Sequence, residues 1–344
     1  MTQRILIVLP CCIGDVVLAT AALRALRRAH PSAHLTWAVG RWSAPALHHH
    51  PDLDAILDTG SAALPVRRPR DWLRFRAQVA AGRFDAAVSL VRSPLMAAAL
   101  WAARVPVRVG LNSGGRGLLY TVRRNLDPDA PEHEADIYLS VLRAWGIDTE
   151  GCAPLIVPTE ADYAVMRQQR AARGVSGRYL VVNPAGGSNP GMTLEAKRYP
   201  LGWLAQIVNR LCAAADVQPV VIGGPNDAPL AEALAARLSA SAVQLVGALS
   251  LLQLGALARE SWLYLGSDTG LTHLANACGA RTVMLMGPTD PRRYALYGGD
   301  SLTLWRPAAV SARGVAGPQR SWDWARDGLP PDEAYARIAA FCGL

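Results

Sequence analysis

The chain has 344 residues, 51% of them hydrophobic and 18% charged, which is long enough for two domains and too apolar for a disordered protein. The formal net charge is +8, which favours acidic partners such as phosphates, anionic sugars or an anionic membrane surface. No nucleic-acid-binding motif is visible and the basic residues are mostly scattered, so no nucleic-acid partner is expected.

The sequence also indicates in which cellular compartment the protein is found. No run approaches the ~18 apolar residues of a membrane span, and the apolar start at residues 5–9 is interrupted too early for a secretory signal. Six cysteines occur without a CxxC pair, mostly in apolar surroundings, and are interpreted as small buried hydrophobes in a reducing cytoplasm. We expect a cytoplasmic protein that is at most peripheral to the inner face of the membrane.

The first half alternates apolar runs with helical patterns. Strands are predicted at residues 5–9, 34–39, 55–58, 84–90 and 108–111. Helices are predicted at residues 16–29, 42–49, 71–81, 94–103 and 132–145. This alternation is typical of a mostly parallel sheet with helices on both faces.

The pattern restarts after a proline-containing segment, residues 152–160, which is predicted to be the linker. Further strands are predicted at residues 179–183, 218–222, 243–246, 262–265 and 282–286, with helices at 201–214, 229–239, 251–259, 271–278 and 332–341. The expected α/β fold therefore has two Rossmann-like domains, 1–155 and 156–344, whose parallel sheets face a central cleft. The terminal helix is a candidate to pack back on the first domain, and residues 307–330 are rich in loop.

The turn that joins the strand at 262–265 to the helix at 271–278 is the most informative segment. Such a turn directs backbone N–H groups and the positive end of a helix dipole at one point, where an anion, most often a phosphate, binds. Thr269 adds a hydroxyl donor, and Gly270 allows close approach. Asp268 or Thr269 could equally be a simple helix cap, so the turn alone leaves both interpretations open.

Other polar strand exits point to the same place. Residues 287–290 follow the next strand, and neighbouring strand ends line one crevice in a doubly wound sheet. The glycine-rich exit with Gly187 and Ser188 suits a phosphate, with Lys197 as its countercharge, although a flexible loop with a solvated cation is the alternative. Asp227 ends another exit, which is either an ordinary turn or a place for a ribose and base.

The first half offers one carboxylate and one basic cluster. Asp15 lies between the first strand and the first helix, where it is either a helix cap or a general base at the sheet edge. Arg67, Arg68 and Arg70 belong to a basic run that is either a solvated face or a site for an anionic acceptor. Two DxD patterns, at 52–54 and 127–129, lie in predicted loops and are weak evidence for a metal.

Together these segments resemble the ADP-heptose:lipopolysaccharide heptosyltransferase family, glycosyltransferase family nine. The resemblance runs through most of the chain and keeps the order of several spaced motifs. They are Ile13-Gly14-Asp15-Val16-Val17-Leu18, Lys197-Arg198-Tyr199-Pro200, Val221-Ile222-Gly223-Gly224-Pro225, the segment 266–273, and Gly287-Pro288-Thr289-Asp290-Pro291.

The resemblance implies a GT-B fold whose second domain binds the donor and whose first domain binds the acceptor. It implies inverting transfer of heptose from ADP-heptose to an acceptor hydroxyl, by default in lipopolysaccharide core assembly, with no metal or cofactor. Asp15 matches the base, and Gly14 precedes it on the acceptor side. The donor set it implies comprises Lys197, Asp268, Thr269, Gly270, Leu271, Ser188, Gly187, Asp227 and His273.

The sequence also departs from the family pattern. Polar residues are replaced by Pro10-Cys11-Cys12, and the segment 306–328 lacks a cysteine but contains Trp322 and Trp324. The sequence therefore leaves two acceptor classes open, an anionic glycolipid and a small natural product. The transferred sugar is expected to be heptose or another sugar. The competing functions are a sugar-nucleotide epimerase or hydrolase on a similar fold, and a nucleotide-sugar binding protein.

Overall fold

The structure is a computed structural model that describes residues 2–129, 131–189, 192–308, 310 and 322–344. The chain divides into two compact units, Met1–Leu155 and Ile156–Leu344. Each unit contains a six-stranded sheet in which every paired strand is parallel. The predicted α/β class with two Rossmann-like sheets is confirmed.

The first unit alternates strands and helices along the chain. Its strands are β1 Arg4–Val8, β2 His34–Val39, β3 Ala55–Asp58, β4 Ala86–Ser89, β5 Val107–Ser113 and β6 Val122–Leu126. Its helices are α1 Ile13–Ala29, α2 Pro69–Gly82, α3 Pro94–Ala102 and α4 Glu134–Ala144, with a 3₁₀ turn at Ala44–Leu47. The central strand β1 is apolar and fully buried from Ile5 to Val8, as expected for a strand covered by helices on both faces.

The first sheet has the strand order β3-β2-β1-β4-β5-β6, which is the Rossmann order. α1 leads from β1 towards β2, whereas α2 and α3 lead in the opposite direction across the sheet. Because parallel crossovers are right-handed, α2 and α3 lie on the face opposite to α1. The contacts agree, since α1 packs on α4 and α2 packs on α3.

The second unit repeats this plan. Its strands are β7 Tyr179–Asn183, β8 Ser188–Asn189, β9 Met192–Thr193, β10 Gln218–Val221, β11 Val243–Gln244, β12 Leu263–Ser267, β13 Thr282–Leu285 and β14 Ser301–Leu304. Its helices are α5 Glu160–Ala171, α6 Leu201–Ala215, α7 Ala228–Ala235, α8 Leu251–Glu260, α9 Gly270–Ala277, α10 Pro291–Tyr294, α11 Trp324–Asp327 and α12 Pro331–Cys342, with 3₁₀ turns at Glu195–Lys197 and Pro225–Asp227. The main sheet has the order β11-β10-β7-β12-β13-β14, and β8 pairs with β9 in a small antiparallel sheet.

Strands β6 and β14 and helix α5 are among the elements that were not predicted from the sequence. The edge strands β6 and β14 carry polar residues in place of a buried apolar run, and much of β6 is exposed. Helix α5 is polar and buries only Met166. Its start is nevertheless well defined, because Thr159 and Asp162 exchange hydrogen bonds as a capping box.

The terminal helix α12 packs on α6 and β14 of the second unit. Ala334 and Ile338 lie one turn apart on α12 and join the same core as Leu204 and Ile207 of α6. This apolar stripe decides where the helix docks, since burying it stabilises the second unit. Of the helices in the described ranges, none combines the length and the apolar character needed to cross a bilayer.

Candidate functional site

Each main sheet has one point at which the strand order reverses. In the first sheet this switch point lies between β1 and β4, and in the second between β7 and β12. Ligands of open α/β sheets bind beyond the carboxyl ends of the strands at such points. Asp15 follows β1 and Asp268 follows β12, so the two principal predicted residues each lie at a switch point.

At the second switch point, Thr269 caps helix α9. Its hydroxyl accepts from the Thr272 amide at 3.4 Å, and the Asn183 side-chain amide approaches the same oxygen at 3.5 Å. The capping interpretation is therefore correct for Thr269. It is compatible with anion binding, because the amides of Gly270 and Leu271 begin the helix and have no acceptor within it.

Asp268 is buried and holds an ion pair. Its Oδ2 lies 2.7 Å from the Lys197 ammonium, and its Oδ1 lies 3.8 Å from Nε2 of His273. Burial alone would raise the pKa of Asp268, but the Lys197 charge and the His273 contact outweigh it and hold the pKa well below its usual range. Asp268 is thus an ionised carboxylate that fixes Lys197 in place.

Backbone contacts bring Lys197 to this position. The Tyr199 amide donates to the Ser267 hydroxyl at 3.0 Å, which ties the segment after Lys197 to the end of β12. The Lys197 ammonium also lies 5.8 Å from the centre of the Tyr294 ring. An ammonium has three N–H donors, so Lys197 can bind Asp268 and a phosphate oxygen together. The buried pair contradicts the alternative of a solvated surface cation.

The glycine-rich exit after β7 is packed against this turn. Gly186 has φ +141°, and a Cβ there would lie 2.1 Å from the Thr269 methyl carbon. Gly187 has φ +74°, and its Cβ would lie 2.1 Å from the Leu194 carbonyl oxygen. Only glycine allows this approach, so the exit is a packed loop and not a loose one. Ser188 begins β8, and its side chain lies outside the described part of the structure.

Asp227 and Asp290 have local roles. The Asp227 carboxylate accepts from the Gly224 amide at 2.8 Å, which favours the ordinary-turn interpretation of this exit. The Asp290 carboxylate accepts from the Arg292 amide and pairs with its guanidinium at 2.7 Å. By contrast, the Thr289 hydroxyl is buried and has no hydrogen-bond partner among the described residues, so Thr289 is the better candidate to contact a ligand.

At the first switch point, Asp15 is held by two contacts. It is the third residue of α1, directly after Gly14. Its Oδ1 accepts from the Tyr138 hydroxyl at 3.0 Å, and its Oδ2 lies 3.4 Å from the Cys12 amide. The longer contact is a weak cap, so the capping interpretation accounts for only part of the environment of Asp15.

Tyr138 was not predicted as a site residue. It is buried on α4 and reaches Asp15 because α4 packs along α1. One turn earlier on α4, both oxygens of the buried Glu134 carboxylate accept from Nη2 of Arg92, at 2.8 and 3.0 Å. Arg92 follows β4, so this pair lies at the same switch point. Only the one-turn spacing of Glu134 and Tyr138 is visible in the sequence.

The basic cluster lies at the carboxyl edge of the first sheet, two strands away from β1, and the DxD patterns lie in other loops. Arg67, Arg68 and Arg70 lie at the start of α2, after the edge strand β3. All three are exposed, and none forms an ion pair within the described ranges. In the DxD patterns, Asp54 pairs with Arg27 and Asp127 accepts from a backbone amide in its own turn. No group of three or more His, Cys, Asp or Glu that could hold a metal is found among the described residues.

The expectation of buried, separate cysteines holds only in part. Cys11 and Cys12 are joined by a disulfide between adjacent residues, immediately before α1. Cys212 and Cys278 are buried thiols, and burial raises the pKa of Cys212 to about 11 and that of Cys278 to about 12. These two thiols are therefore unreactive packing residues.

Two Rossmann-like sheets with polar residues at both switch points are the features of a GT-B glycosyltransferase, and comparison with known proteins gives the same class. The model of glycosyltransferase family 9 (heptosyltransferase) matches residues 72–314. The chain belongs to this family.

Individual relatives agree with this assignment. The chain is 25% identical to lipopolysaccharide heptosyltransferase 1 of Pseudomonas aeruginosa, over 88% of this chain and 83% of that protein. The structure resembles the family 9 glycosyl transferase of Veillonella parvula, with a TM-score of 0.76, 22% identity and coverage of 88% and 85% of the two chains. It also resembles the Escherichia coli ADP-heptose lps heptosyltransferase II, with a TM-score of 0.74, 20% identity and coverage of 99% and 98%.

Proposed function

We propose that this glycosyltransferase moves heptose from ADP-heptose to a hydroxyl of an anionic glycolipid of the lipopolysaccharide core, by an inverting reaction that needs no metal or cofactor. Membership of the family and the names of its relatives support the sugar, the donor and the acceptor class. The observation that carries the proposal is the buried Lys197–Asp268 pair beside the start of α9.

The donor end of the reaction is argued from that pair. As the bond between the sugar and the diphosphate breaks, negative charge gathers on the leaving ADP. The Lys197 ammonium and the first amides of α9 are fixed donors that stabilise this charge without a metal. Gly187 and His273 adjoin this turn in the proposed donor site, and Thr289 joins them. Asp227 stays a proposed nucleoside contact.

The acceptor end is argued from Asp15. The acceptor oxygen attacks the anomeric carbon from the side opposite to the diphosphate, and the configuration at that carbon inverts. The proton of the attacking hydroxyl passes to the Asp15 carboxylate in the transition state. Gly14 and the exposed Arg67, Arg68 and Arg70 are proposed to bind the anionic acceptor. We infer that the reaction takes place in the cytoplasm, because nucleotide-activated sugars are made there.

The decisive experiment is Asp15→Asn, assayed by ADP release from ADP-heptose with lipopolysaccharide-core and small-molecule acceptors. We expect kcat to fall by about 10²–10⁴-fold. The melting temperature should barely change, because the amide oxygen of asparagine can still accept from the Cys12 amide and its NH₂ group can donate to the Tyr138 hydroxyl. Asp71→Asn is the matched control, since Asp71 is also the third residue of its helix. Turnover of Asp15→Asn near the parental rate would show that another residue is the base. If the parent enzyme is active only on small-molecule acceptors, the acceptor is not a glycolipid.

A further inference from the structure

Two arginines of the first unit form similar contacts with a carboxylate near the start of α4. Nη2 of Arg92 donates to both oxygens of Glu134 at 2.8 and 3.0 Å. Nη2 of Arg124 donates to both oxygens of Glu132 at 2.9 and 3.0 Å. The two arginine side chains are about equally accessible, with exposed fractions of 29% and 31%. The remaining donors of the two guanidinium groups can therefore be compared directly.

These remaining donors differ between the two arginines. In Arg124, which lies on the edge strand β6, Nε donates to the Ser140 hydroxyl at 3.0 Å and Nη1 donates to the Asn125 carbonyl. Each nitrogen of that guanidinium is thus bonded within the protein. In Arg92, Nε and Nη1 have no hydrogen-bond partner in the part of the chain that the structure describes. Arg92 is therefore the arginine whose donors remain available to a ligand.

Arg92 lies at the same switch point as the proposed base. It follows β4, which pairs with β1, and Asp15 follows β1. Glu134 and Tyr138 are four residues apart on α4 and project from the same side of that helix. Glu134 accepts from Arg92, and Tyr138 donates to Asp15. One side of α4 therefore holds both the guanidinium of Arg92 and the carboxylate of the proposed base.

The burial of Glu134 fixes Arg92 in position while part of the guanidinium side chain stays exposed. The Glu134 side chain is 0% exposed. Buried ion pairs often add no net stability compared with apolar residues, so stability alone does not account for this pair. An arginine already held by a buried carboxylate loses little further side-chain entropy when a ligand binds it. Because guanidinium groups bind carboxylate and phosphate oxygens through charge-assisted hydrogen bonds, an oxyanion is the ligand that fits Arg92.

We propose that Arg92 binds an acidic group of the acceptor, a carboxylate or a phosphate, close to the hydroxyl that Asp15 deprotonates. Glu134 is the positioning residue that orients Arg92. Arg92 thereby selects acceptors that carry negative charge next to the reacting hydroxyl. This rests on the proposed function and deepens it, because it assigns the recognition of that charge to one residue beside the base.

The test compares acceptors with and without their acidic groups. The probe is heptose-deficient lipopolysaccharide, used intact, after amidation of its carboxylates, or after enzymatic removal of its phosphates. With the intact acceptor, Arg92→Gln should raise the acceptor KM by about tenfold or more, since a charge-assisted hydrogen bond is lost. The KM for ADP-heptose should stay at the parental value.

The modified acceptors show which acidic group Arg92 binds. Loss of that group should raise the KM of the parent by about the same factor as Arg92→Gln does. In Arg92→Gln the same modification should cause no further rise, because the two changes remove one interaction. Amidation having this effect would identify a carboxylate, and removal of phosphates having it would identify a phosphate.

Arg124→Gln is the matched control. Arg124 has the same contact with a carboxylate and the same exposure, but its other donors are bonded within the protein, so its replacement should leave the acceptor KM unchanged. Arg92→Gln leaves Glu134 as an uncompensated buried charge, which destabilises the fold. The double variant Arg92→Gln/Glu134→Gln has two neutral amides, and it should show the same rise in acceptor KM with a melting temperature closer to that of the parent.

Two results would overturn the proposal. The single and double variants at Arg92 could have the parental KM for the intact acceptor. Alternatively, their KM could rise by the same factor for the intact, amidated and dephosphorylated acceptors, which would show that Arg92 only supports the fold. The proposed function fails in a different way: if the parent releases no ADP with the intact acceptor, transfer to a glycolipid is wrong, and the role of Arg92 is wrong with it.

Discussion

Asp268 combines full burial with ionisation, and this has a consequence for stability. The pKa of Asp268 is lower in the folded state than the unfolded value of about 3.9. A depressed pKa contributes stability above the unfolded value, and the contribution is lost as the pH falls through the folded value. The Lys197–Asp268 pair should therefore stabilise the second unit at neutral pH and weaken below about pH 4.

Asp268→Asn tests this. At pH 7 the variant should melt at a lower temperature than the parent, because Lys197 loses its countercharge inside the protein. The difference should narrow as the pH is lowered below about 4, since a protonated carboxyl group and an amide are both neutral. Asp332→Asn is the control, because that carboxylate is 90% exposed in its pair with Arg210. A difference in melting temperature that does not change with pH would contradict the assignment.

The Tyr138 hydroxyl orients the proposed base and is expected to matter for the rate. In Tyr138→Phe the carboxylate of Asp15 loses the hydrogen bond at 3.0 Å, and hydrogen bonds to charged groups contribute about 1.5–3 kcal/mol. We expect kcat to fall about tenfold or more while KM for donor and acceptor stays near the parental value. Steady-state kinetics measure both.

Tyr120→Phe is the matched control for Tyr138→Phe. Tyr120 is also buried in the first unit, so removal of its hydroxyl tests whether any loss of packing or polarity there lowers the rate. A parallel rise in KM, or an equal loss of kcat in Tyr120→Phe, would assign Tyr138 a purely structural role.

At the level of elements, the conformation of the loop after β7 depends on Gly187, which packs against the 3₁₀ turn that carries Lys197. The Leu194 carbonyl that a Cβ at Gly187 would meet accepts from the Lys197 amide at 3.1 Å. Leu194 also donates to the Gly187 carbonyl at 2.7 Å. A side chain at position 187 must therefore displace the 3₁₀ turn that carries Lys197.

Gly187→Ala is expected to weaken ADP binding by about tenfold or more, because the displaced Lys197 no longer meets the diphosphate. Gly174→Ala is a close control, since Gly174 has φ +78° with nothing near its would-be Cβ, whereas Gly187 has φ +74°. Both variants bear the cost of alanine in the left-handed region, but only Gly187→Ala bears the collision. If calorimetry gives equal ADP affinity for both variants, this loop is not part of the donor site.

At the scale of the whole molecule, all of the proposed donor contacts lie in the second unit. That unit has its own six-stranded sheet, its own cores and the terminal helix α12 packed on α6. These are the requirements for independent folding. The fragment Ile156–Leu344 is therefore expected to fold and to bind ADP within about threefold of the full-length affinity.

Circular dichroism and calorimetry on the fragment check this, with Met1–Leu155 as the fragment that should not bind ADP. A second-unit fragment that is folded but does not bind ADP would show that the first unit supplies part of the nucleotide site.

Local sequence determined the backbone plan of this protein. Apolar runs of four to six residues bounded by glycine or proline mark β1, β2, β7 and β13, because a strand buried on both faces must be apolar throughout. Alternation of such runs with helical patterns predicts parallel sheets. The turn at 268–271 can be recognised in the sequence because a polar, glycine-containing segment lies between two apolar elements. The edge strands β6 and β14 and the polar helix α5 lack this signal, since little of their surface is buried.

Only the tertiary structure decided which side chains meet. Lys197 and Asp268 are 71 residues apart, Arg92 and Glu134 are 42 apart, and Tyr138 and Asp15 are 123 apart. Periodicity reports whether a residue is on a buried face, but not which distant residue faces it. That depends on the strand order, which placed β12 beside β7, and on the packing of α4 along α1. The sequence thus determined the fold class and pointed to several candidate site residues, and tertiary packing determined which side chains those candidates contact.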